Sequence, residues 1–271
     1  MSQSCPLRRA ARAVRRALLP SFDLLLLQRC RLARFVPPGA AVLDAGCGDG
    51  TIAFRLARKG CRVVAVSDDA SALAAFRERT LAARLPAGQV AFREHDLTAG
   101  TPPGGPFDAV ICFDVLEHIA ADGAVVCSLA VVLRPGGSLL LTVPNREAPP
   151  LWGDTVAPES HGAHVRQGYT RPELERLVTA AGLEPARWGG FGGAVTRLAT
   201  NVSRRLERHG GVLFVVIRFL WLVLLRPLCC LDPLVPRRNY ELFLLAVRPV
   251  DSARKRGTMA GGHPATGEYN E

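Results

Sequence analysis

The chain has 271 residues with 48% hydrophobic content, enough to bury the core of one α/β domain with insertions. Its 34 Lys and Arg residues against 24 Asp and Glu give a formal net charge of +10, which favours an anionic partner such as nucleic acid, acidic lipid or a phosphorylated substrate. The eight cysteines lack zinc-knuckle or redox spacing, and the N-terminus lacks a secretion signal. These features argue against a zinc domain and a secreted protein and favour the reducing cytoplasm.

Short apolar runs alternate with helical stretches from about residue 40, which predicts a parallel sheet covered by helices. The predicted strands cover residues 40–45, 61–66, 89–94, 107–113, 137–143, 183–188 and 239–247. The predicted helices cover residues 51–59, 71–84, 117–133 and 171–181, the last capped by Thr170 and ended by Gly182. We therefore predict an α/β fold: a Rossmann-like, seven-stranded, mostly parallel sheet with helices on both faces and a helical insertion between its last two strands.

Composition divides the chain into five segments. Residues 1–38 form a basic, amphipathic lead-in, and residues 39–190 form the predicted core. An apolar helical insertion follows at residues 191–238, and residues 239–249 supply the last core strand. Residues 250–271 are polar and Gly-rich, which predicts a disordered tail.

The most informative segment is VLDAGCGDG, at Val42–Gly50, where an apolar strand runs into a glycine-rich turn and then a helix. Gly46, Gly48 and Gly50 have no Cβ atom, so a ligand can touch the backbone there. N–H groups at the start of a helix suit polar or anionic ligand atoms. Asp44, two residues before the first glycine, would repel a pyrophosphate but suits a ligand that carries an ammonium and a sulfonium.

At this motif the chain resembles the class I S-adenosylmethionine (SAM) dependent methyltransferases, and the resemblance extends over about Pro38–Phe191. It implies that the methionine part of SAM is bound by the first motif, whose candidate residues are Asp44, Gly46, Cys47, Gly48 and Gly50.

The resemblance also assigns the rest of the cofactor. The family's second strand ends in an acid that binds both ribose hydroxyls; by count that position is Ser67, and we expect the adjacent Asp68 to take this role. Asp96 and Leu97 match the position that meets the adenine amino group. Phe113 opens FDVLEH, similar to the fourth motif, which lines the sulfonium and the acceptor pocket.

Methyl transfer, as the resemblance implies it, requires alignment of two partners and removal of a proton where the acceptor needs it. The candidate bases are His118, Glu117 and His164. His118 comes first because a neutral imidazole can accept a proton near pH 7. The alternative is that His118 is merely hydrogen-bonded at a helix start.

A metal site is a further hypothesis. Asp114, Glu117 and His118 have i, i+3, i+4 spacing, so at a helix start they could converge, and His164 could complete a site for a divalent ion such as Mg²⁺. Some quinone-type and RNA 2′-hydroxyl O-methyltransferases of this fold have a similar cluster. Against the metal, the Leu-Glu-His run is common across the family with many acceptors.

Two segments point to a membrane surface. Residues 212–225 are almost entirely apolar, but fourteen helical residues span only about 21 Å against a ~30 Å hydrocarbon core. The segment therefore predicts a helix in the interface or one packed against the domain. The lead-in, with arginines beside an apolar stripe, is compatible with an anionic membrane. For both segments the alternative is burial within the protein or in a dimer interface.

The sequence thus predicts a SAM-dependent methyltransferase acting on a small-molecule or lipid-linked acceptor, at oxygen rather than carbon, on the cytoplasmic side and peripheral to the membrane. The loop from Pro144 to Tyr169 is expected to cover the acceptor. One alternative is an RNA methyltransferase, but only 6% of residues are aromatic, so a nucleic-acid platform is not expected. The other alternative is a SAM-binding protein without turnover.

Overall fold

A computed structural model describes residues 24–69, 88–148, 165–209 and 239–250, together with residues 73, 74, 76, 77, 80, 85, 86, 216, 217, 220, 221, 224 and 232. The tail prediction, the candidate residue His164, and most of the lead-in, of the long loop and of the apolar run fall outside the described residues.

A seven-stranded sheet forms the centre of the domain. Its strands are β1 (Ala41–Ala45), β2 (Arg62–Ser67), β3 (Val90–Glu94), β4 (Phe107–Phe113), β5 (Leu133–Pro144), β6 (Glu184–Phe191) and β7 (Glu241–Val247). Their order is β3-β2-β1-β4-β5-β7-β6. The first five run parallel, and β7 is antiparallel to both β5 and β6. The prediction of a Rossmann-like, mostly parallel sheet is confirmed.

Helices cover both faces of this sheet. The helices described in full are α1 (Leu24–Leu32), α2 (Thr51–Arg58), α3 (Asp122–Val131), α4 (Arg171–Ala180) and α5 (Ala194–His209), the last of which packs against α1. Side chains alternate along β1, so Leu43 joins the core beneath α3 and α4 while Val42 joins the core beneath α1 and α2. The second predicted helix, 71–84, is described only in part, with helical residues at 73, 74, 76, 77 and 80.

Local signals place α4 where the sequence predicts it. The Glu173 carboxylate accepts hydrogen bonds from the Thr170 N–H (2.8 Å) and hydroxyl (3.0 Å), which satisfies groups at the helix start. Gly182, with φ 75°, follows the helix in the left-handed region that favours glycine. The expected cap and stop are both present.

The predicted helix over 117–133 is wrong in its first part. Leu116–His118 form a single 3₁₀ turn, and α3 begins only at Asp122. Tertiary contacts explain the delay: the Tyr169 hydroxyl donates to the Leu116 carbonyl, and the Arg166 guanidinium donates to the carbonyls at 119 and 120. Carbonyls that would accept helical N–H groups are thus bonded to side chains from far along the chain.

Helix α1 joins the lead-in to the beginning of the insertion. The Gln28 amide donates to Thr196 Oγ1 of α5 (2.9 Å), and its oxygen accepts the Gly192 N–H (2.7 Å). Asp232, buried and further along the insertion, accepts hydrogen bonds from the Val195 N–H and the Thr196 hydroxyl. The described parts of the lead-in and of the insertion therefore pack against each other.

Candidate cofactor and acceptor site

The candidate site lies at the carboxyl ends of β1 and β4. The chain proceeds from β1 outward to β3 and then returns to place β4 on the other side of β1, so the strand order reverses between them. Ligands of open parallel sheets bind at such a reversal. Asp44 sits in this central strand, paired with Ala65 of β2 and Ile111 of β4.

The glycine-rich turn after β1 is fixed on one side and open on the other. The Gly46 and Cys47 N–H groups both donate to the Val66 carbonyl, at 2.9 and 3.0 Å. A Cβ at Gly46 would lie 2.3 Å from Val115 Cγ2, whereas a Cβ at Gly48 would meet nothing within 4 Å. The exposed Gly48, at φ 50°, is therefore the point where a ligand can approach the backbone.

The remaining turn residues support this geometry. Gly50, at φ 76°, precedes α2, and a Cβ there would lie 2.8 Å from the ring of Phe76. Cys47 is buried, and burial raises the pKa of its thiol well above the usual range, so the thiol stays protonated. Both residues shape the turn by packing.

Asp44 is the buried charge of the cofactor side. It is 4% exposed, and no described residue bonds to its Oδ2 atom. Burial raises the pKa of Asp44 to about 7; Asp49 adds to the rise and the Ala53 N–H opposes it. A buried carboxylate oxygen without a donor is costly unless a cation or donor binds there. Asp44 beside the open Gly48 therefore fits an ammonium group.

The predicted ribose and adenine residues lie at the ends of β2 and β3. Ser67 ends β2 and is buried; its hydroxyl accepts the Asp69 N–H at 3.1 Å. Asp68, one residue on, is exposed. Asp96 follows β3 and is exposed; its Oδ1 accepts the Thr98 N–H at 2.8 Å, a bond that lowers the pKa of Asp96. An exposed acid thus stands after each of these strands.

The hydrophobic members of the predicted set flank this edge. Leu97 is 8% exposed and joins the core on the α3 side. Phe113 is half-buried at the end of β4 and packs against the opposite core. The structure therefore brings the cofactor candidates from β1, β2, β3 and β4 to one edge of the sheet.

A second cluster of charges lies where β4 and β5 end. Asp114 directly follows β4 with φ 53°, and its Oδ1 accepts the Thr142 hydroxyl at 2.8 Å. The Arg29 guanidinium of α1 forms ion pairs with Asp114 and with Glu241, and its Nε donates to Glu241 at 2.9 Å. Glu241 opens β7 and is 1% exposed.

Sequence reasoning missed Arg29 and Glu241. One signal was available: Glu241 opens ELFLLAV, a strand apolar enough to be buried, and a carboxylate in such a place needs a cation or donors. The partner could not be read from the sequence, because Arg29 lies 212 positions away. It is one of several arginines near the N-terminus.

The other two acceptor-side candidates differ in environment. Glu117 is 1% exposed, and no described residue bonds to its Oε2 atom. Burial first, and then Asp114 and Glu241, raise the pKa of Glu117 well above its usual range, which favours the protonated form. His118 is exposed on the 3₁₀ turn, and its backbone N–H donates to the Val115 carbonyl.

These positions do not fit the predicted metal site. The convergence argument assumed a helix start at Asp114, and that premise is wrong because α3 begins eight residues later. Asp114 is already bonded to Thr142 and Arg29, while His118 is exposed. Within the described ranges, no three His, Cys, Asp or Glu side chains form a group that could hold a metal ion. The structure does not support Mg²⁺ at these residues.

Comparisons with known proteins agree with the fold. A family model described as methyltransferase domain matches residues 12–187. A ubiquinone biosynthesis O-methyltransferase of Xanthomonas campestris pv. campestris (strain B100) is 37% identical over 114 residues, which cover 42% of this chain and 47% of that protein. Its counterpart in Chromobacterium violaceum is 31% identical over 168 residues, covering 59% of this chain and 72% of that protein.

A solved structure shares the architecture. Phosphoethanolamine N-methyltransferase 2 of Haemonchus contortus, in complex with S-adenosyl-L-methionine, superposes with a TM-score of 0.59 and 19% identity over 80% of this chain and 51% of that one. This likeness concerns the fold alone. The chain spans about half the length of the Xanthomonas relative that it matches. By its family match and its sheet order, the chain belongs to the class I SAM-dependent methyltransferases.

Proposed function

We propose that the protein transfers a methyl group from SAM to an oxygen atom of a small-molecule or lipid-linked acceptor. The observation that carries the proposal is Asp44, whose buried Oδ2 has no donor among the described residues and lies beside the open backbone of Gly48. The named activity of the ubiquinone biosynthesis O-methyltransferases supports oxygen as the acceptor atom.

Each cofactor residue would bind one part of the ligand. Asp44 would accept the ammonium group, and the turn at Gly48 would contact the methionine backbone. Asp68 would accept the ribose hydroxyls and Asp96 the adenine amino group, while Phe113 would lie beside the sulfur. Bound SAM supplies an activated methyl group on a positively charged sulfur.

The chain's own task is to align the acceptor and remove its proton. His118 is the proposed base because it is exposed and follows the carboxyl end of β4, where the acceptor would meet the methyl group. Glu117 is a weaker base candidate, since its burial favours the protonated form. His164 remains a candidate in the loop outside the described residues.

Calorimetry with SAM and its demethylated product tests the cofactor assignment, and methyl-labelled SAM with host extract tests the acceptor. Asp44→Asn should weaken binding by about 100-fold or more, whereas the matched control Asp49→Asn removes a charge from the same turn at an exposed position. Label should enter lipid or small molecules. Label in RNA, or SAM binding without any transfer, would contradict the proposal in favour of the two alternatives.

A peripheral membrane location would give access to lipid-linked acceptors on the cytoplasmic face. Exposed apolar residues support it: Val216, Ile217, Leu220 and Leu224 are between 42% and 68% exposed. Of these, Val216, Leu220 and Leu224 have the i, i+4, i+8 spacing of one helix face. In the described parts of the chain no helix is both long and apolar enough to cross a bilayer. The proposed contact is therefore with the interface.

Sedimentation with anionic liposomes tests this location. The double variant Leu220→Glu, Leu224→Glu should lose vesicle binding because it places charge on the apolar face. Val131→Glu is the matched control, since Val131 is 64% exposed on α3, outside this segment. Equal sedimentation of both variants, or no sedimentation of the wild type at low salt, would contradict a membrane location.

A further inference from the structure

Three acidic side chains meet at the edge of the sheet where the acceptor is proposed to bind. Asp114 follows β4, and Glu117 lies on the next turn. Glu241 opens β7 opposite Pro144, the last residue of β5. Glu117 and Glu241 are each 1% exposed, so water can solvate neither of them well. Such a cluster needs a cation, because buried like charges raise each other's free energy.

Arg29 of α1 already supplies that cation. Its guanidinium bonds Glu241 through two nitrogens and pairs with Asp114 through one of them, so the same group joins the ends of β4 and β7. A planar guanidinium suits this task because its N–H groups can bond two carboxylates at once. Thr142 donates to the other Asp114 oxygen, which completes the contacts of that side chain.

A divalent ion would have to use the same carboxylate oxygens. It would then lie within a few ångströms of the fixed positive charge of Arg29, which would repel it. The guanidinium and the metal are therefore alternatives at this place. Arg29 is thus the structural reason why the metal hypothesis does not hold, and it lies outside the FDVLEH motif on which that hypothesis is based.

We infer that Arg29 is the resident cation of the acceptor side and that it positions Asp114 and Glu241 there in place of a divalent metal ion. It acts as a positioning residue, since it holds carboxylates and the first helix against the end of the sheet. The inference rests on the proposed function only in placing methyl transfer beside Asp114. It predicts methyl transfer without any divalent cation.

Because α1 carries Arg29, the inference also couples the folding of this helix to the site. Gln28, the preceding residue, bonds Thr196 and Gly192 at the start of the insertion. Displacement of α1 would remove the cation from Asp114 and Glu241 at the same time as these bonds. Helix α1 is thus a part of the proposed acceptor site.

The test compares the wild type with Arg29→Ala, using thermal unfolding with and without Mg²⁺ or Mn²⁺ as the probe, together with activity after chelation. The wild type should keep its activity in EDTA, and its Tm should not respond to the metals. Arg29→Ala should lose at least tenfold in kcat and show a lower Tm. Millimolar Mg²⁺ or Mn²⁺ should then raise its Tm by several degrees, because the carboxylates are left without a cation.

Two further variants separate this role from simple packing. Adding Glu241→Gln to Arg29→Ala should restore part of the Tm and remove the metal response, since one orphaned carboxylate is gone. Arg29→Lys should fold with an intermediate Tm and a weaker metal response. Lysine keeps the positive charge but lacks the planar guanidinium whose N–H groups bond two carboxylates at once. Arg31→Ala, an exposed arginine of the same helix, should behave as the wild type.

Loss of wild-type activity in EDTA with recovery in Mg²⁺ would overturn the inference. A metal-insensitive Arg29→Ala protein with wild-type kcat would also overturn it. Calorimetric binding of SAM to the wild type, measured separately, tests the proposed function. The Tm response to metal needs no turnover, so the two ideas can fail independently.

Discussion

The two halves of the site are built in different ways. The glycine-rich turn of the cofactor side comes from one contiguous stretch, Val42–Gly50, fixed against the neighbouring strand by the bonds to Val66. The acceptor side joins Arg29 and Glu241, 212 positions apart, to Asp114 at the end of β4. The turn is a local motif, and the acceptor side is a product of the fold. The predictions below test whether the two halves also behave independently.

The largest expected effect is on the cofactor side. Asp44→Asn should weaken SAM binding by about 100-fold or more, since removal of one partner of a buried charge pair costs about 2–5 kcal/mol. The Tm should not fall, because burial disfavours the charge of Asp44 in the free protein and so raises its pKa. Calorimetry and thermal unfolding measure the two quantities. A Tm loss without a binding loss would assign Asp44 to the fold alone.

Alanine variants of two glycines in the turn should distinguish a packing role from a ligand-contact role. Gly46→Ala should lower the free energy of unfolding by about 2–4 kcal/mol, because it adds a clash with Val115 to a positive φ. Gly48→Ala faces open space and should cost only about 1–2 kcal/mol, from φ alone. Its main effect should be weaker SAM binding. Urea unfolding and calorimetry of both variants check this, and equal stability losses would contradict it.

A substitution on the acceptor side should lower stability without changing the affinity for SAM. Thr142→Val keeps the side-chain shape but removes the 2.8 Å bond to Asp114. The loss should be about 1.5–2 kcal/mol in the free energy of unfolding, since the hydroxyl donates to a carboxylate that is paired with Arg29. The Kd for SAM should stay within about twofold. A large shift in Kd would show that the two sides are coupled.

The smallest effect is the pH dependence of SAM binding. The pKa of Asp44 is about 7 in the free protein, and the ammonium should bind the ionised form. Affinity should therefore fall by about tenfold from pH 7 to pH 5.5 as Asp44 takes up a proton. Asp44→Asn should show no such dependence. A flat profile for the wild type would mean that another group pairs with the ammonium.

The same pKa shift affects stability in the opposite direction: SAM affinity falls as the pH falls, whereas the contribution of Asp44 to stability falls as the pH rises. The folded protein holds the Asp44 proton up to about pH 7, whereas the unfolded chain loses it near the ordinary pKa of 3.8. Between these values the folded state binds more protons, so this group's contribution favours folding at low pH and is lost as pH rises to about 7. As the pH rises from 4 to 7, the ligand-free protein should therefore lose a contribution to its free energy of unfolding. The Asp44→Asn variant should not show this loss. Denaturation curves of both proteins measure the difference.

Local chemistry made much of the molecule predictable from the sequence. The alternation of apolar runs with helices predicted the sheet, and Thr170 with Gly182 predicted the limits of α4, because caps and stops act over a few residues. Val42–Gly50 predicted the ligand turn because a positive φ and close approach require glycine at fixed positions. The structure places these candidate cofactor residues together at the edge where strand order reverses.

Only the tertiary structure decided the acceptor side. The Leu-Glu-His run looked like the start of a helix, but Tyr169 and Arg166 bond carbonyls around it, so the helix begins at Asp122. The cation beside Asp114 is likewise brought by another element. A sequence specifies a contact locally when its atoms are close along the chain; Arg29 and Glu241 meet only because the sheet and α1 bring them together.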